Sequence, residues 1–107
     1  MREFVYPASF TRDRKDGGYV VSFRDVPEAI TQAESAARCV EEAAGALQAA
    51  IEGRIMDGLE IPAASRAKRG ERLVAVPVQT ALKAALYLAM RERGITRVEL
   101  ARRLRIE

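Results

Sequence analysis

Two runs of alternating apolar and polar residues, separated by a Gly-Gly turn, constrain the fold of this chain most strongly. Seven side chains share one face in these runs: Phe4, Tyr6, Ala8 and Phe10 in EFVYPASFT, and Tyr19, Val21 and Phe23 in YVVSFRD. Alternation with a period of two is typical of a half-buried strand. Gly17 and Gly18 lie between the runs and can adopt the positive φ of a tight turn. The two runs therefore predict a β-hairpin.

Pro7 lies inside the first run and limits where that strand can sit. Proline has no backbone N–H to donate, so we expect this strand at a sheet edge or bulged at Pro7. The DVPE segment breaks the chain after the hairpin. AITQA (29–33) then predicts a third short strand and RLVAVPV (72–78) a fourth.

A long helix is predicted between the third and fourth strands. Ser35 is the expected N-cap, with a side-chain oxygen that accepts an N–H of the first turn. The helix should end at Asp57-Gly58, where glycine can take the left-handed conformation. Its core-facing stripe, at steps of three and four, comprises Val40, Ala44, Leu47, Ile51 and Ile55. The order strand, strand, strand, helix, strand predicts an α+β domain over residues 1–76.

The remaining residues, 77–107, predict a helical C-terminal segment. A helix is expected from Val78 to Arg93, ended by Gly94. Its predicted apolar face consists of Leu82, Leu86, Ala89 and Met90. Thr96 and Glu99 then match the T-x-x-E capping box that opens a helix.

The string GITRVELARRL is similar to the start of a bacterial helix-turn-helix module, with ALYLAMRERG as the preceding helix. Leu100 and Leu104 share one face of the helix that it predicts. The candidate phosphate contacts to DNA are Arg97, Arg102, Arg103 and Arg105. A plain amphipathic helical tail remains the alternative interpretation.

Composition excludes several kinds of chemistry. The chain has no histidine, and Cys39 is its only cysteine. A histidine general base, a thiolate-rich zinc site and an internal disulfide are therefore excluded. No G-x-S-x-G or phosphate-binding glycine motif occurs. We expect no catalytic residue, no metal and no cofactor.

The N-terminal residues and the charge distribution indicate where the chain works and what it contacts. MREFVYPASF has no signal-peptide core, and no apolar run approaches a membrane span, so we expect a cytoplasmic protein without a membrane partner. Residues 1–62 hold seven basic and eleven acidic residues, a net charge of −4, whereas residues 63–107 hold eleven and four, a net charge of +7. This asymmetry favours two halves that face different partners.

One loop in the second half is strongly basic. LEIPAASRAKRGE contains Arg66, Lys68 and Arg69, and Arg72 follows it directly. We favour the interpretation that this loop is merely solvated. Contact with phosphate or with an acidic partner is the alternative.

The string YPASFTRDRKDGGYVVSFRDVPEAITQAES resembles the HicB family of bacterial antitoxins. The matching positions are Tyr6, Pro7, Ala8, Phe10, 16–21, Phe23, Asp25, Pro27, and 29–32. The segments DGLEIPAAS, VAVPV and KAALYLAMRERGITRVELARRL are also similar, so the resemblance covers nearly the whole chain. Glu28 and Ala33 depart from it, because they stand where the family usually has glycine.

The resemblance implies a partial ribonuclease H-like β-β-β-α-β fold without catalytic machinery. It implies that the protein neutralises HicA, a small basic ribonuclease toxin that degrades messenger RNA. It also implies a C-terminal module that binds the operator of the shared operon. We expect a homo-oligomer, dimeric or larger.

An acidic surface in the first half would attract such a toxin by taking the place of phosphate. The candidate toxin-binding residues are Asp13, Asp16, Asp25, Glu28, Glu41, Glu42 and Glu52. Two other classes of function remain open. An active metal-dependent nuclease of ribonuclease H-like fold would need a four-carboxylate cluster that the sequence does not assemble. A stand-alone transcription regulator would sense a ligand through its sheet domain.

The end of the sequence bears on DNA binding. A helix-turn-helix reads bases with the helix that follows its turn, whereas RVELARRL supplies the helix before the turn and RIE then ends the sequence. For this sequence we expect toxin neutralisation to be retained. We expect operator binding to be weak and to show little sequence preference.

Overall fold

A computed structural model describes residues 4–96, 98–99 and 102, and its elements follow the predicted order. The elements are β1 (Val5–Arg12), β2 (Tyr19–Phe23), β3 (Ile30–Ala33), α1 (Ala36–Met56), β4 (Arg72–Ala75) and α2 (Val78–Arg93). The strands form one antiparallel sheet in the order β3-β2-β1-β4. The predicted α+β class and the β-β-β-α-β order are confirmed.

Pro7 does not place β1 at an edge, because β1 pairs with both β2 and β4. Val76 donates its backbone N–H to the Phe4 carbonyl at 3.0 Å, so Phe4 directs its backbone groups towards β4. Successive residues of a strand alternate in this respect, and the nitrogen of Pro7 therefore faces β2. The β1–β2 pairs begin only at Ala8, so the missing N–H interrupts no ladder. The prediction of an edge or bulged strand is wrong.

The core lies between one face of the sheet and α1. The alternation predicted for β1 and β2 is confirmed, since Tyr6, Ala8 and Val21 are fully buried. Phe10 and Tyr19 are half-buried against the same cluster. Tyr6 also donates its hydroxyl to the Pro62 carbonyl at 2.7 Å.

The buried face of α1 differs from the predicted stripe by part of a turn. Its buried residues are Cys39, Ala43, Leu47 and Ile51, at regular steps of four. Val40 is 49 % exposed, and Ala44 and Ile55 are only partly buried. Helix α1 packs more extensively on β3 than on any other strand. Small side chains there let the helix approach the sheet closely, and the bulkier Val40 points aside.

The two ends of α1 show different degrees of capping. Ser35 has the extended backbone of an N-cap, but its side chain makes no capping hydrogen bond, so that part of the prediction is wrong. At the other end, Gly58 has φ +70°. Leu59 donates its N–H to the Arg54 carbonyl at 2.8 Å, and Gly58 to the Ile55 carbonyl at 3.2 Å. These two bonds form the Schellman motif, and the predicted stop at Asp57-Gly58 is confirmed.

Helix α2 has the predicted bounds but presents a different face to the core. Thr80, Ala84 and Met90 are buried. Leu82 is 65 % exposed and Leu86 is 51 % exposed. Ala89 is also exposed, so Met90 is the only buried residue of the predicted apolar face. The Thr80 hydroxyl donates to a Glu52 carboxylate oxygen of α1 at 2.8 Å, and this contact turns the Thr80 side of α2 towards α1.

The segment after α2 begins as predicted. Gly94 has φ +68° and ends the helix, and Ile95 donates its N–H to the Met90 carbonyl at 2.8 Å. Thr96 accepts the N–H of Glu99 through its hydroxyl at 3.1 Å, the bond expected of the capping box. Of the candidate DNA contacts, Arg102 is helical and exposed. Outside the described residues lie Arg97, Arg103 and Arg105, together with Leu100 and Leu104. In the described part of the chain, no helix is long and apolar enough to cross a membrane.

Truncating one buried and one exposed residue of α1 tests the observed face. Leu47→Ala removes a fully buried side chain and should lower the free energy of unfolding by about 2–5 kcal/mol. Val40→Ala acts on a half-exposed side chain and should change it by about 0.5 kcal/mol or less. Urea denaturation of the two variants measures both effects. A larger loss in the free energy of unfolding for Val40→Ala than for Leu47→Ala would instead support the stripe predicted from the sequence.

Candidate functional site

The structure divides the seven candidate carboxylates into two groups. Four of them accept hydrogen bonds from residues elsewhere in the chain or in their own turn: Asp13, Asp25, Glu28 and Glu52. The other three are exposed: Asp16, Glu41 and Glu42. Their partners decide which of them are free to contact another molecule.

Asp13 and Asp25 shape loops. Asp13 accepts the backbone N–H groups of Lys15 and Asp16 at 3.0 and 3.2 Å and thereby forms the turn of the hairpin. Asp25 accepts both the N–H and the hydroxyl of Ser65, at 2.7 and 2.8 Å. The Asp25 side chain is 12 % exposed, so it presents little surface to a partner.

Glu28 forms a two-point ion pair with Arg54, near the end of α1. Arg54 also donates to the Glu60 carbonyl at 3.0 Å. The hydrogen bond from Arg54 lowers the pKa of Glu28, and that from Glu28 raises the pKa of Arg54. The Glu28 carboxylate ties the turn before β3 to the last turn of α1.

Glu52 joins the two helices. It accepts hydrogen bonds from Gln48 at 3.0 Å, from Thr80 at 2.8 Å and from the Lys83 ammonium at 3.3 Å. These bonds, led by that from Gln48, lower the pKa of Glu52. Because three donors already surround it, Glu52 is a contact between α1 and α2 rather than a free anion.

Asp16 and Glu42 line a groove between the hairpin turn and the start of α1. The groove has a volume of about 660 Å³ and is lined by Asp16, Gly17, Gly18, Gln32, Ala33, Glu34, Arg38 and Glu42. We call it the acidic groove. A Cβ on Gly18, which has φ +74°, would lie 2.6 Å from the Ala33 carbonyl oxygen. The hairpin turn thus rests directly on the end of β3, and only glycine fits there.

The acidic groove contains three carboxylates and one guanidinium. Asp16, Glu34 and Glu42 form no ion pair with a described residue, and Arg38 lies 3.5 Å from Glu41 beside the groove. Such a groove suits a cationic side chain better than an anion. Glu34 is not among the seven carboxylates predicted from the sequence, and its place in the groove follows from the packing of the hairpin turn on the end of β3.

The described residues contain no group of three or more histidine, cysteine, aspartate or glutamate side chains placed to hold a metal ion. Cys39 is buried in the core. Around the groove, the described side chains form an acidic surface that can bind cations. None of these described side chains is a nucleophile with an adjacent base.

Comparison with known proteins gives the family. The family model for the HicB_like antitoxin of bacterial toxin-antitoxin systems matches residues 5–85. The chain belongs to the HicB-like antitoxin family. The match extends from β1 into α2 and so includes the hairpin, the acidic groove and the contact between the helices.

Individual members of the HicB family are similar over most of this chain. Antitoxin HicB of Escherichia coli (strain K12) is 39 % identical over 99 residues, which cover 92 % of this chain and 71 % of that protein. Antitoxin HicB 1 of Photorhabdus laumondii is 36 % identical over 93 residues, 87 % of this chain and 59 % of that protein. Antitoxin HicB 2 of the same organism is 35 % identical over 99 residues, 92 % and 68 % respectively. These relatives identify an antitoxin.

The Glu28–Arg54 pair predicts a pH-dependent stability. The pKa of Glu28 is lowered in the folded protein, so its contribution is present above the ordinary glutamate pKa of about 4.3 and is lost as pH falls through the lower, folded value. Glu28→Gln should reduce the free energy of unfolding at pH 7 by about 1 kcal/mol or less, because the pair is partly exposed. The difference from the unmodified protein should vanish at acid pH.

Urea denaturation between pH 7 and pH 3 measures this dependence. Glu42→Gln is the matched control, since Glu42 is exposed and forms no ion pair with a described residue. A stability difference for Glu28→Gln that persists unchanged at pH 3 would contradict a role for its charge.

Proposed function

We propose that this antitoxin neutralises a small basic ribonuclease toxin of the HicA type, and that the acidic groove is part of the surface that binds it. The observation that supports the groove most directly is that Asp16, Glu34 and Glu42 have no internal ion-pair partner among the described residues. Glu41, exposed and directly before Glu42 in α1, extends the same surface. The other four candidates, Asp13, Asp25, Glu28 and Glu52, contribute by stabilising the fold.

Neutralisation would then work by competition. A ribonuclease binds the RNA backbone with cationic side chains, and carboxylates can replace phosphate as partners of those cations. Complementary charge also raises the rate of encounter, over a range limited by the screening length of about 8 Å at physiological ionic strength. A toxin whose cations are occupied in this way would be unable to bind its substrate.

We further propose that the protein itself has no nuclease activity. A metal-dependent nuclease needs carboxylates that converge on a cation, whereas Asp25 is bound to Ser65, and Glu28 to Arg54. These two partners support a structural role for both carboxylates.

Repression of its own operon is proposed for the C-terminal segment when complete. The Thr96–Glu99 cap and the exposed, helical Arg102 support a helix after α2 that carries cations. A cytoplasmic location and a homo-oligomer, dimeric or larger, are part of the same proposal, since repressors with helix-turn-helix modules bind paired half-sites as dimers.

Charge reversal tests the acidic groove. The binding partner in the experiment is a small basic toxin of the HicA type, used as a catalytically inactive variant. Asp16→Lys with Glu42→Lys should slow association about tenfold at low salt and flatten its salt dependence, because the charges that steer the encounter are inverted. Stopped-flow fluorescence at two salt concentrations gives both quantities.

The matched control reverses two exposed acidic residues beyond the other end of α1, Asp57→Lys with Glu60→Lys. It changes the net charge equally and should leave the association rate within about threefold. Equal slowing by both pairs would assign the effect to net charge and remove the acidic groove from the interface.

The absence of nuclease activity has a direct assay. The purified protein, incubated with labelled RNA and Mg²⁺ or Mn²⁺, should release no more fragments than buffer does, and Asp25→Asn should behave identically. Metal-dependent cleavage that is lost in Asp25→Asn would overturn the proposal and place Asp25 in an active site.

A further inference from the structure

The loop before β4, together with the first residue of β4, presents a cluster of exposed positive charge. Residues 63–72 include four exposed cations: Arg66, Lys68, Arg69 and Arg72. None of the four forms an ion pair with a described residue, as the ion pairs of this region all involve Arg24. We call residues 63–72 the basic loop.

The only carboxylate in the basic loop is already neutralised from outside it. Glu71 accepts two hydrogen bonds from the Arg24 guanidinium, at 2.9 and 3.0 Å, and its side chain is 10 % exposed. The hydrogen bond from Arg24 lowers the pKa of Glu71. The Lys68 ammonium also attracts Glu71 electrostatically, so three of the four cations, Arg66, Arg69 and Arg72, have no counter-charge within the basic loop.

The conformation of the basic loop is fixed at several points. Ser65 is bound to Asp25, and Arg24 donates to the Arg66 carbonyl at 2.6 Å. Lys68 donates its N–H to Glu71 at 2.7 Å, and Glu71 returns its N–H to the Lys68 carbonyl at 3.0 Å. This closed turn keeps the cations together on one short stretch of backbone.

We propose that the basic loop binds the phosphate backbone of duplex DNA. Its residues, AASRAKRGER, include no aromatic side chain. Single-stranded nucleic acids are held largely by stacking on aromatic rings, and protein interfaces centre on buried aromatic or other large anchors. Clustered cations without such groups suit the regular, densely charged backbone of a duplex. The contact is independent of base sequence, comes from the sheet domain and adds to any contact made by the C-terminal segment.

Removing the charges of the basic loop tests the proposal on the full chain. The variant Arg66→Ala, Lys68→Ala, Arg69→Ala is compared with Arg12→Ala, Arg14→Ala, Lys15→Ala, which removes the same charge from the exposed hairpin turn. Binding to a fluorescent duplex of arbitrary sequence is measured by anisotropy from 50 to 200 mM salt. Each lost phosphate contact should reduce the slope of log K against log salt by about 0.9. The magnitude of that slope should therefore fall by about 2–3 in the loop variant and by less than about 0.5 in the hairpin variant.

Three results would overturn the proposal. They are an unchanged slope in the loop variant, an equal change in both variants, and a loss of single-stranded RNA binding with duplex binding intact. A second loop variant, with glutamine at the same three positions, retains the side-chain stems and should lose the same slope. Circular dichroism and thermal unfolding establish that each variant is folded before binding is compared.

Discussion

Close packing of α1 against the sheet is the contact on which the other features depend. The helix contacts all four strands and α2, and its buried residues step by four along the whole length, from Cys39 to Ile51. The two ends of α1 then serve as anchors. Its start forms one wall of the acidic groove, and its last turns supply Glu52 and Arg54. The carbonyls just beyond it accept hydrogen bonds from α2, at Gly58 from Arg91 and at Leu59 from Tyr87.

Part of the acidic charge in the first half of the chain is bound by donors within the molecule. A net charge of −4 over residues 1–62 does not produce one continuous acidic surface, because Asp25, Glu28 and Glu52 are satisfied by donors far along the sequence. Acidic composition therefore overstates the anionic surface available to a basic partner. The second half shows the opposite, since Arg24 neutralises Glu71 and leaves the neighbouring cations exposed.

Local patterns in the sequence predicted the elements well, and they failed where distant residues decide the outcome. Alternation gave the hairpin, and glycines gave the ends of both helices, because backbone preferences act locally. Hydrophobicity alone placed Val40, Leu82 and Leu86 on the apolar faces of the two helices, but all three are exposed. The space beside β3 sets the buried face of α1, and the Thr80–Glu52 hydrogen bond sets that of α2. Whether Pro7 lies in an edge strand depends on which strands flank β1, and the local sequence does not show this. The partners of the candidate carboxylates lie up to 40 residues away, and no sequence pattern indicated them.

Strand β2 connects the two charged surfaces and fixes their separation. Gly18, in the acidic groove, precedes the strand, and Arg24, which organises the basic loop, follows it. Six residues of extended chain span roughly 20 Å, more than twice the screening length of about 8 Å in physiological salt. Binding of a charged partner at one end would therefore change the electrostatic free energy of binding at the other end very little. A ternary complex, with a cationic partner at one end of the sheet and a polyanion at the other, would form with nearly additive affinities.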